Sequence, residues 1–478
     1  MRNMFARPWS FLEGVVIILG LMVVGLLLQV TVGAIDWSLF AWPVNMVVLG
    51  VFLLLMVGCF LLRRRVYAVQ FMATCQAAVP ALVGAVVLMV IMGVTRQVAS
   101  TSEAADPLGL TKMLSFWPFV LVYVWIAVIL SQAILHRLCR SFRLSTIPFL
   151  LNHLGLLVVM LTATLGHADM QRLKMITAVG EPEWRALDEQ GAVVELPLAV
   201  ELHRFIMETH DDGSPRRFAS DVQILTKSGK NITATIDVNK PVAVDGWDIY
   251  QYGYDQQAGA ASRISIFELV SDPWLPAVYT GIFMMLFGAL CMILKVRRNS
   301  RLLAFSLVMA VALVGAVMFW HSMNSKPLMP TLQSPWFAPH VIVYIFSYTV
   351  FGAAALIALF QLVRRRFLFA QAHRGASFTF LDSLVYVGLA FMTFGMLFGA
   401  LWAKEAWGHY WSWDPKETWA AATWMSYLVY LHYRLRRLGS VSLALLLLIL
   451  CFLLLQMCWW GINYLPSAQA ASVHTYNM

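Results

Sequence analysis

Eleven long apolar runs, a single stretch able to fold in water and a one-sided distribution of basic residues predict a polytopic α-helical membrane protein. It should have about eleven transmembrane helices and one small external antiparallel β domain. The chain of 478 residues is 60% hydrophobic and 12% charged, with a mean hydropathy of +0.72. That is far from the soluble-globular average. Runs long enough to cross about 30 Å of hydrocarbon lie near 11–32, 43–62, 78–98, 116–135, 148–167, 273–294, 302–320, 339–362, 382–402, 419–434 and 440–460.

With the N-terminus inside, eleven alternating crossings put the basic clusters 63–65, 136–143, 295–301, 364–374 and 433–437 on the inner side. The short outer loops hold only scattered cations such as Lys112, Lys326, Lys404 and Lys416. This is the positive-inside bias. The net charge of +9 is therefore topology, and nucleic acid is excluded as a partner.

The first run is too long for a cleaved signal peptide and lacks a clear small-residue site after it, so a retained helix is expected. All six cysteines (Cys59, Cys75, Cys139, Cys291, Cys451, Cys458) lie in or beside runs, and the sequence has no CxxC. A disulfide framework, a cysteine zinc site and covalent haem attachment to this chain are excluded.

Residues 168–272 form the water-soluble segment. The stretches 192–205, 218–226, 231–238, 241–255 and 262–270 alternate apolar and polar residues, with β-branched content and Gly/Asp/Asn turns, which predicts strands. About a hundred residues suffice for a modest core. No catalytic constellation appears there. The glycosylation acceptor pattern at 231–233 reads as chance.

The stretch WGHYWSWDPKETWAAATW, residues 407–424, carries five tryptophans around a few polar groups. A membrane-interface belt explains one or two of them. A platform on which a flat apolar ligand stacks explains more. The loop is expected at 403–418, with the helix resuming at 419. Asp414 as N-cap, Pro415 at N1 and Glu417 at N3 make a capping start. Asp414 therefore has a purely structural reading beside a functional one. The positive helix end, with Lys416, would face the ligand's anionic groups. A haem, planar and apolar with two propionates, has that shape.

Haem also needs axial ligands, and histidine buried in a membrane is costly unless it is used. His340 opens a span at its outer end, and His474 lies in the outer tail. His153 and His432 lie toward the inner ends of their spans. Each pair shares a depth and is able to supply two imidazoles. His136 and His373 fall in basic inner loops and read as solvated. His167 and His321, at outer helix ends, read as structural, and His409 need not be a ligand.

The stretch 407–432 resembles the tryptophan-rich motif of the haem-handling cytochrome c biogenesis proteins, and residues 301–478 resemble the CcsA-type subunit of the system II cytochrome c synthase. Residues 1–300 resemble its partner subunit, of CcsB or ResB type, through NHLGLLVVMLTATLGHADMQRLKM, which carries His153. The resemblance implies six spans and the β domain in the first half, and five spans with a haem-binding loop in the second. It implies that His340 and His474 are the external axial ligands and that His153 and His432 are the intramembrane pair. Trp407, Trp411, Trp413, Trp419 and Lys416 would hold haem b, and Asp414 would orient it or a ligand.

The implied activity is a haem lyase of the bacterial cytoplasmic membrane, with the C-terminus and the tryptophan loop periplasmic. It would carry haem outward and join it by thioether bonds to the CxxCH cysteines of apocytochrome c. A thiol-reducing protein is a further implied partner. Two other readings stay open: a haem transporter that serves a separate ligase, and a b-type electron-transfer protein. Stacked electron-transfer haems need paired histidines on shared helices, whereas these four lie on four segments.

Overall fold

The structure is a computed structural model. It describes residues 7–99, 102–140, 143–296, 315, 318, 329–367, 376–435 and 440–468. His321, His373, His474 and most of the 302–320 run lie outside the described residues.

Eleven α-helices are described: α1 (Phe11–Val32), α2 (Val44–Leu62), α3 (Tyr67–Met72), α4 (Cys75–Val94), α5 (Trp117–Arg140), α6 (Ile147–Gly166), α7 (Leu275–Val296), α8 (Phe337–Phe367), α9 (Ala376–Trp407), α10 (Pro415–Arg434) and α11 (Val441–Trp459). Among the described residues, nine helices are long and apolar enough to cross a membrane, namely all of these except α3 and α10. Together they make the chain a multi-pass membrane protein.

The short α3 falls between two expected spans and was not foreseen. The expected span at 419–434 is a helix, but it begins earlier, at Pro415, and its Trp, Tyr, Thr and Ser content keeps it off the apolar list. It has no need of an apolar surface. Most of α10 is buried among α4, α9 and α11, and a helix covered by protein on all sides is not selected for contact with lipid.

Between α6 and α7 the chain forms one antiparallel sheet of eight strands in the order β5-β4-β3-β2-β1-β8-β7-β6. The strands are β1 (Gln171–Ala178), β2 (Pro182–Leu187), β3 (Val193–Thr209), β4 (Pro215–Thr226), β5 (Asn231–Asp237), β6 (Val242–Val244), β7 (Trp247–Tyr254) and β8 (Ile264–Ser271). β1 and β2 were not expected. Their segment is dense in charge, yet β1 alternates in burial, with Leu173, Met175 and Thr177 inward. The stretch 241–255 is two strands rather than one. Asp245 and Gly246 both take positive φ, +47° and +86°, the backbone of a tight hairpin turn. Leu202, Val222, Ile224, Ile236, Ile249, Phe267 and Leu269 form the domain's fully buried core.

The domain is rooted on two helices that already touch. β1 follows α6, β8 leads into α7, and β1 pairs with β8 from Gln171↔Ser271 to Ala178↔Ile264. Asp169 closes the junction by accepting hydrogen bonds from the Trp42 amide, the Asn45 amide group and the Trp274 indole, each at 2.7 Å.

The membrane helices do not separate at residue 300. One core combines Val79, Leu82, Val278, Ile282 and Met285 with Phe346, Val350, Leu384 and Tyr427. A second core sets Ala421 and Ala422 of α10 among residues of α1, α4, α5 and α6.

Candidate functional site

α10 determines the layout. Asp414 is its N-cap: the carboxylate accepts from the Glu417 amide (2.9 Å), and Glu417 accepts in return from the Asp414 amide (3.2 Å). This is the capping box expected from DPKE. The same Glu417 carboxylate also accepts from Ser412, through its amide at 2.8 Å and its hydroxyl at 3.2 Å. The tryptophan loop is thereby tied to the helix start. α9 runs on through Trp407, so the loop is residues 408–414, shorter than the expected 403–418. Helical geometry of 1.5 Å per residue places His432 about 25 Å along α10 from that loop.

At the far end of α10, His432 meets His153 of α6, with ring centroids 6.3 Å apart and planes at 66°. Each Nδ1 lies against the carbonyl four residues back on its own helix: His153 on Phe149 (2.9 Å) and His432 on Leu428 (2.8 Å). With Nδ1 donating, the free lone pair sits on Nε2 in both rings. Phe149 stacks on His153 at 3.8 Å. Among the described residues no group of three or more His, Cys, Asp or Glu side chains is placed to hold a metal ion, so this is a two-imidazole arrangement.

At the near end, His340 stands in the first turn of α8. Its Nδ1 donates to the Gly395 carbonyl of α9 at 2.8 Å, which again leaves Nε2 as the acceptor. The ring lies so close to α9 that a Cβ on Gly399 would come within 2.7 Å of His340 Cε1. Trp402 is 5.9 Å from His340, Trp407 is 5.0 Å from Trp402, and His409 stacks on Trp407 at 6.3 Å. The structure thus brings His340 to the tryptophan loop.

The tryptophans do not share one plane. Trp407 packs against Trp402 and His409, whereas Trp411 and Trp413 meet edge-to-face at 5.8 Å and Trp413 meets Phe119 of α5 at 6.1 Å. Trp413 has φ +58°, a left-handed conformation that a bulky residue adopts only where its surroundings impose it. Trp419 is buried, and its indole donates to the Gly93 carbonyl of α4 at 3.3 Å. It packs between helices rather than beside Trp407. The same carbonyl accepts from Ser467 Oγ at 2.8 Å. Lys416 is half-buried in the first turn of α10.

Lys404 read in the sequence as a stray loop cation, yet it is buried. It pairs with Asp248 of β7 at 3.1 Å and donates to the Gly408 carbonyl at 3.2 Å. Nearby, burial raises the Asp272 carboxyl above its usual range. A lysine two residues from a tryptophan carries no sequence signal for an ion pair more than 150 residues away in the chain.

Helices long enough to span a membrane, a β domain on one side and two histidine sites near the two ends of α10 define a multi-pass protein built around that helix. The comparisons with known proteins say what its parts are similar to. Residues 274–468 match the family described as Cytochrome C assembly protein, and residues 142–268 match the ResB-like family. The chain therefore joins a ResB-like domain and a cytochrome c assembly domain in one polypeptide.

Among curated relatives, the cytochrome c biogenesis protein CcsA of Chlamydomonas reinhardtii is 37% identical over 158 residues, covering 32% of this chain and 44% of that protein. Its counterpart in Chlorella vulgaris is 35% identical over 190 residues, covering 32% and 59%. That of Synechococcus sp. (strain CC9902) is 34% identical over 183 residues, again covering 32% and 59%. The chain spans about half the length of these relatives.

Proposed function

We propose that this protein is a cytochrome c synthase that carries haem across the membrane and attaches it to apocytochrome c. The observation that supports it most is the placing of two histidine sites along α10: His153 and His432 at one end, His340 with the tryptophan loop about 25 Å away. Metal–imidazole bonds of about 2 Å put two rings that ligate one iron from opposite sides about 6 Å apart. The inner pair has that spacing, at 6.3 Å. The relatives named for cytochrome c biogenesis supply the substrate class.

In this reading residues 1–300 are the partner half and residues 301–478 the haem-binding half. The protein sits in a bacterial cytoplasmic membrane with the inner pair toward the cytoplasm and the β domain periplasmic. Haem b is cargo. His153 and His432 receive it, and His340 and His474 hold it at the near end of α10, beside the tryptophan loop. Ser467 is hydrogen-bonded to Gly93, and His474 lies seven residues beyond it. Trp407, Trp411 and Trp413 bound the ring, and Lys416 with the α10 N-terminus faces the propionates.

Each thioether bond forms by adding a cysteine S–H across a haem vinyl group. Sulfur bonds to one vinyl carbon, the proton ends on the other, and no net redox change occurs. The protein's part is to position both partners and control the iron's ligands. A thiol-reducing protein keeps the CxxCH cysteines free to react.

The test is co-expression with a CxxCH apocytochrome in a host lacking its own maturation system. Covalent haem on the apocytochrome is expected. Bound haem on this protein with none on the apocytochrome would overturn the synthase reading in favour of a transporter.

A further inference from the structure

The β domain touches both of the elements that form the near-side site, through β7 and β8 on one side and through β4 and the β5–β6 turn on the other. On the loop side, Asp248 of β7 pairs with the buried Lys404 at 3.1 Å, and the Lys404 ammonium lies 5.5 Å from the Tyr250 ring. Gly408, the first loop residue, has φ +76°, and a Cβ there would come within 2.8 Å of Val270 Cγ2. The loop is therefore pressed directly onto β7 and β8.

On the His340 side, the Asn239 amide group donates to the Pro330 carbonyl at 2.8 Å, and Gln333 donates to the Arg216 carbonyl at 3.1 Å. Pro330 and Gln333 belong to the segment that leads into α8. Between the two footholds the elements are linked to each other: Trp402 donates to Thr331 (3.0 Å) and Trp336 donates to Glu405 (2.7 Å).

We propose that the β domain sets the register between the His340 helix and the tryptophan loop, with Asp248 as the positioning residue on the loop side and Asn239 on the helix side. A buried ammonium must have its counter-charge nearby. Lys404 can therefore take its place only when β7 is docked, and Lys404 in turn holds the Gly408 carbonyl. The two footholds make the distance between His340 and Trp407 a property of the docked domain as well as of the α8–α9 contact. The inference rests on the haem reading only for one of its two readouts.

The experiment uses full-length protein in detergent and compares it with Asp248→Asn, Lys404→Gln, the exchanged pair Asp248→Lys/Lys404→Asp, and Asn239→Ala. The first readout needs no haem: the rate of chymotrypsin cleavage at 407–413 and at 336–337, relative to cleavage elsewhere. The Asp248 and Lys404 variants should be cut several-fold faster in the loop, with protection returning in the exchanged pair. Asn239→Ala should be cut faster at 336–337. The second readout uses haemin as probe. The low-spin fraction should fall in each single variant and recover with added imidazole, because the iron lacks a well-placed ligand and not a binding surface. Wild-type protection and a wild-type low-spin fraction in all single variants would overturn the proposal. If wild-type protein takes up no haemin, the haem reading fails and the cleavage pattern alone decides this one. If Asp248→Asn does not accumulate, Asn239→Ala leaves no charge buried and carries the test.

Discussion

At its C-terminal end α10 brings His432 to His153 by helix packing alone: two helices, each imidazole braced on its own helix, and no loop involved. At its N-terminal end the work is divided. His340 is braced on a neighbouring helix through Gly395, the aromatic rings come from α9 and a seven-residue loop, and an ion pair ties that region to a β domain. Rings fixed by packed spans have little freedom, whereas a loop held by a separate domain can be loosened without disturbing the bundle. A site that only receives a ligand can be of the first kind. The synthase reading proposed above asks more of the site beside the tryptophan loop, which would also admit the apocytochrome, and the second kind of construction suits that task.

The comparison is broken most severely by removing the inner pair. In His432→Ala or His153→Ala, haem at the near-side site should fall to a small fraction of wild type although that site is untouched. Haem per purified protein and its spectrum measure this, and normal loading in both variants would make the inner histidines structural. Next comes Gly399→Ala, whose methyl would collide with His340. Overpacking of this kind costs about 1–3 kcal/mol, and the low-spin signal of the near-side haem should weaken while the inner pair stays intact.

Trp407→Ala should lower haem retention by the worth of an aromatic pair, about 0.5–1.5 kcal/mol beyond its buried area, and Trp407→Phe should recover much of it. Equal haem per folded molecule in both would assign Trp407 to the membrane interface. Asp414→Asn keeps an oxygen to accept from Glu417, so the helix start should change by only a few tenths of a kcal/mol. Loss of thioether formation at wild-type protein levels would show a role beyond the cap.

The smallest effect concerns acid. Asp106 accepts from the Thr111 hydroxyl and amide and from the Leu110 and Leu108 amides. Partial burial opposes ionisation, but these bonds outweigh it and lower the carboxyl from 3.8 to about 2. Its folded-state value is depressed, so its stabilisation is present above pH 3.8 and is lost as pH falls through about 2. Amide exchange in 105–111 should speed up in that window and in Asp106→Asn at neutral pH.

Much of this was legible in the sequence because the signals are local. Alternation marked β3 to β8, although 241–255 read as a single strand, DPKE marked the α10 capping box, and the positions of His153 and His432 in their runs fit the contact between their rings. What stayed hidden depends on partners far away in sequence. Nothing in the charged segment 171–187 announces that it lines a sheet beside β8. Nothing beside Trp419 says that it turns to Gly93 rather than to the other tryptophans, and the burial of Lys404 needs Asp248. Gly395 and Gly399 look like ordinary small residues of a span until His340 is packed on them.

The interleaved cores have a consequence for how such a protein can be encoded. α4 lies along α10, α7 lies along both α6 and α9, and Ala421 and Ala422 sit among residues of the first half. These faces are buried whether or not a peptide bond joins the two sides. A cut between residues 296 and 329 would turn the same contacts into a subunit interface, and the two pieces should reassemble when made in one membrane. What the continuous chain adds is proximity, because it makes the meeting of the two sides an intramolecular event. Fusion and two-gene versions of this architecture would then differ in assembly at low expression, and not in the geometry around α10.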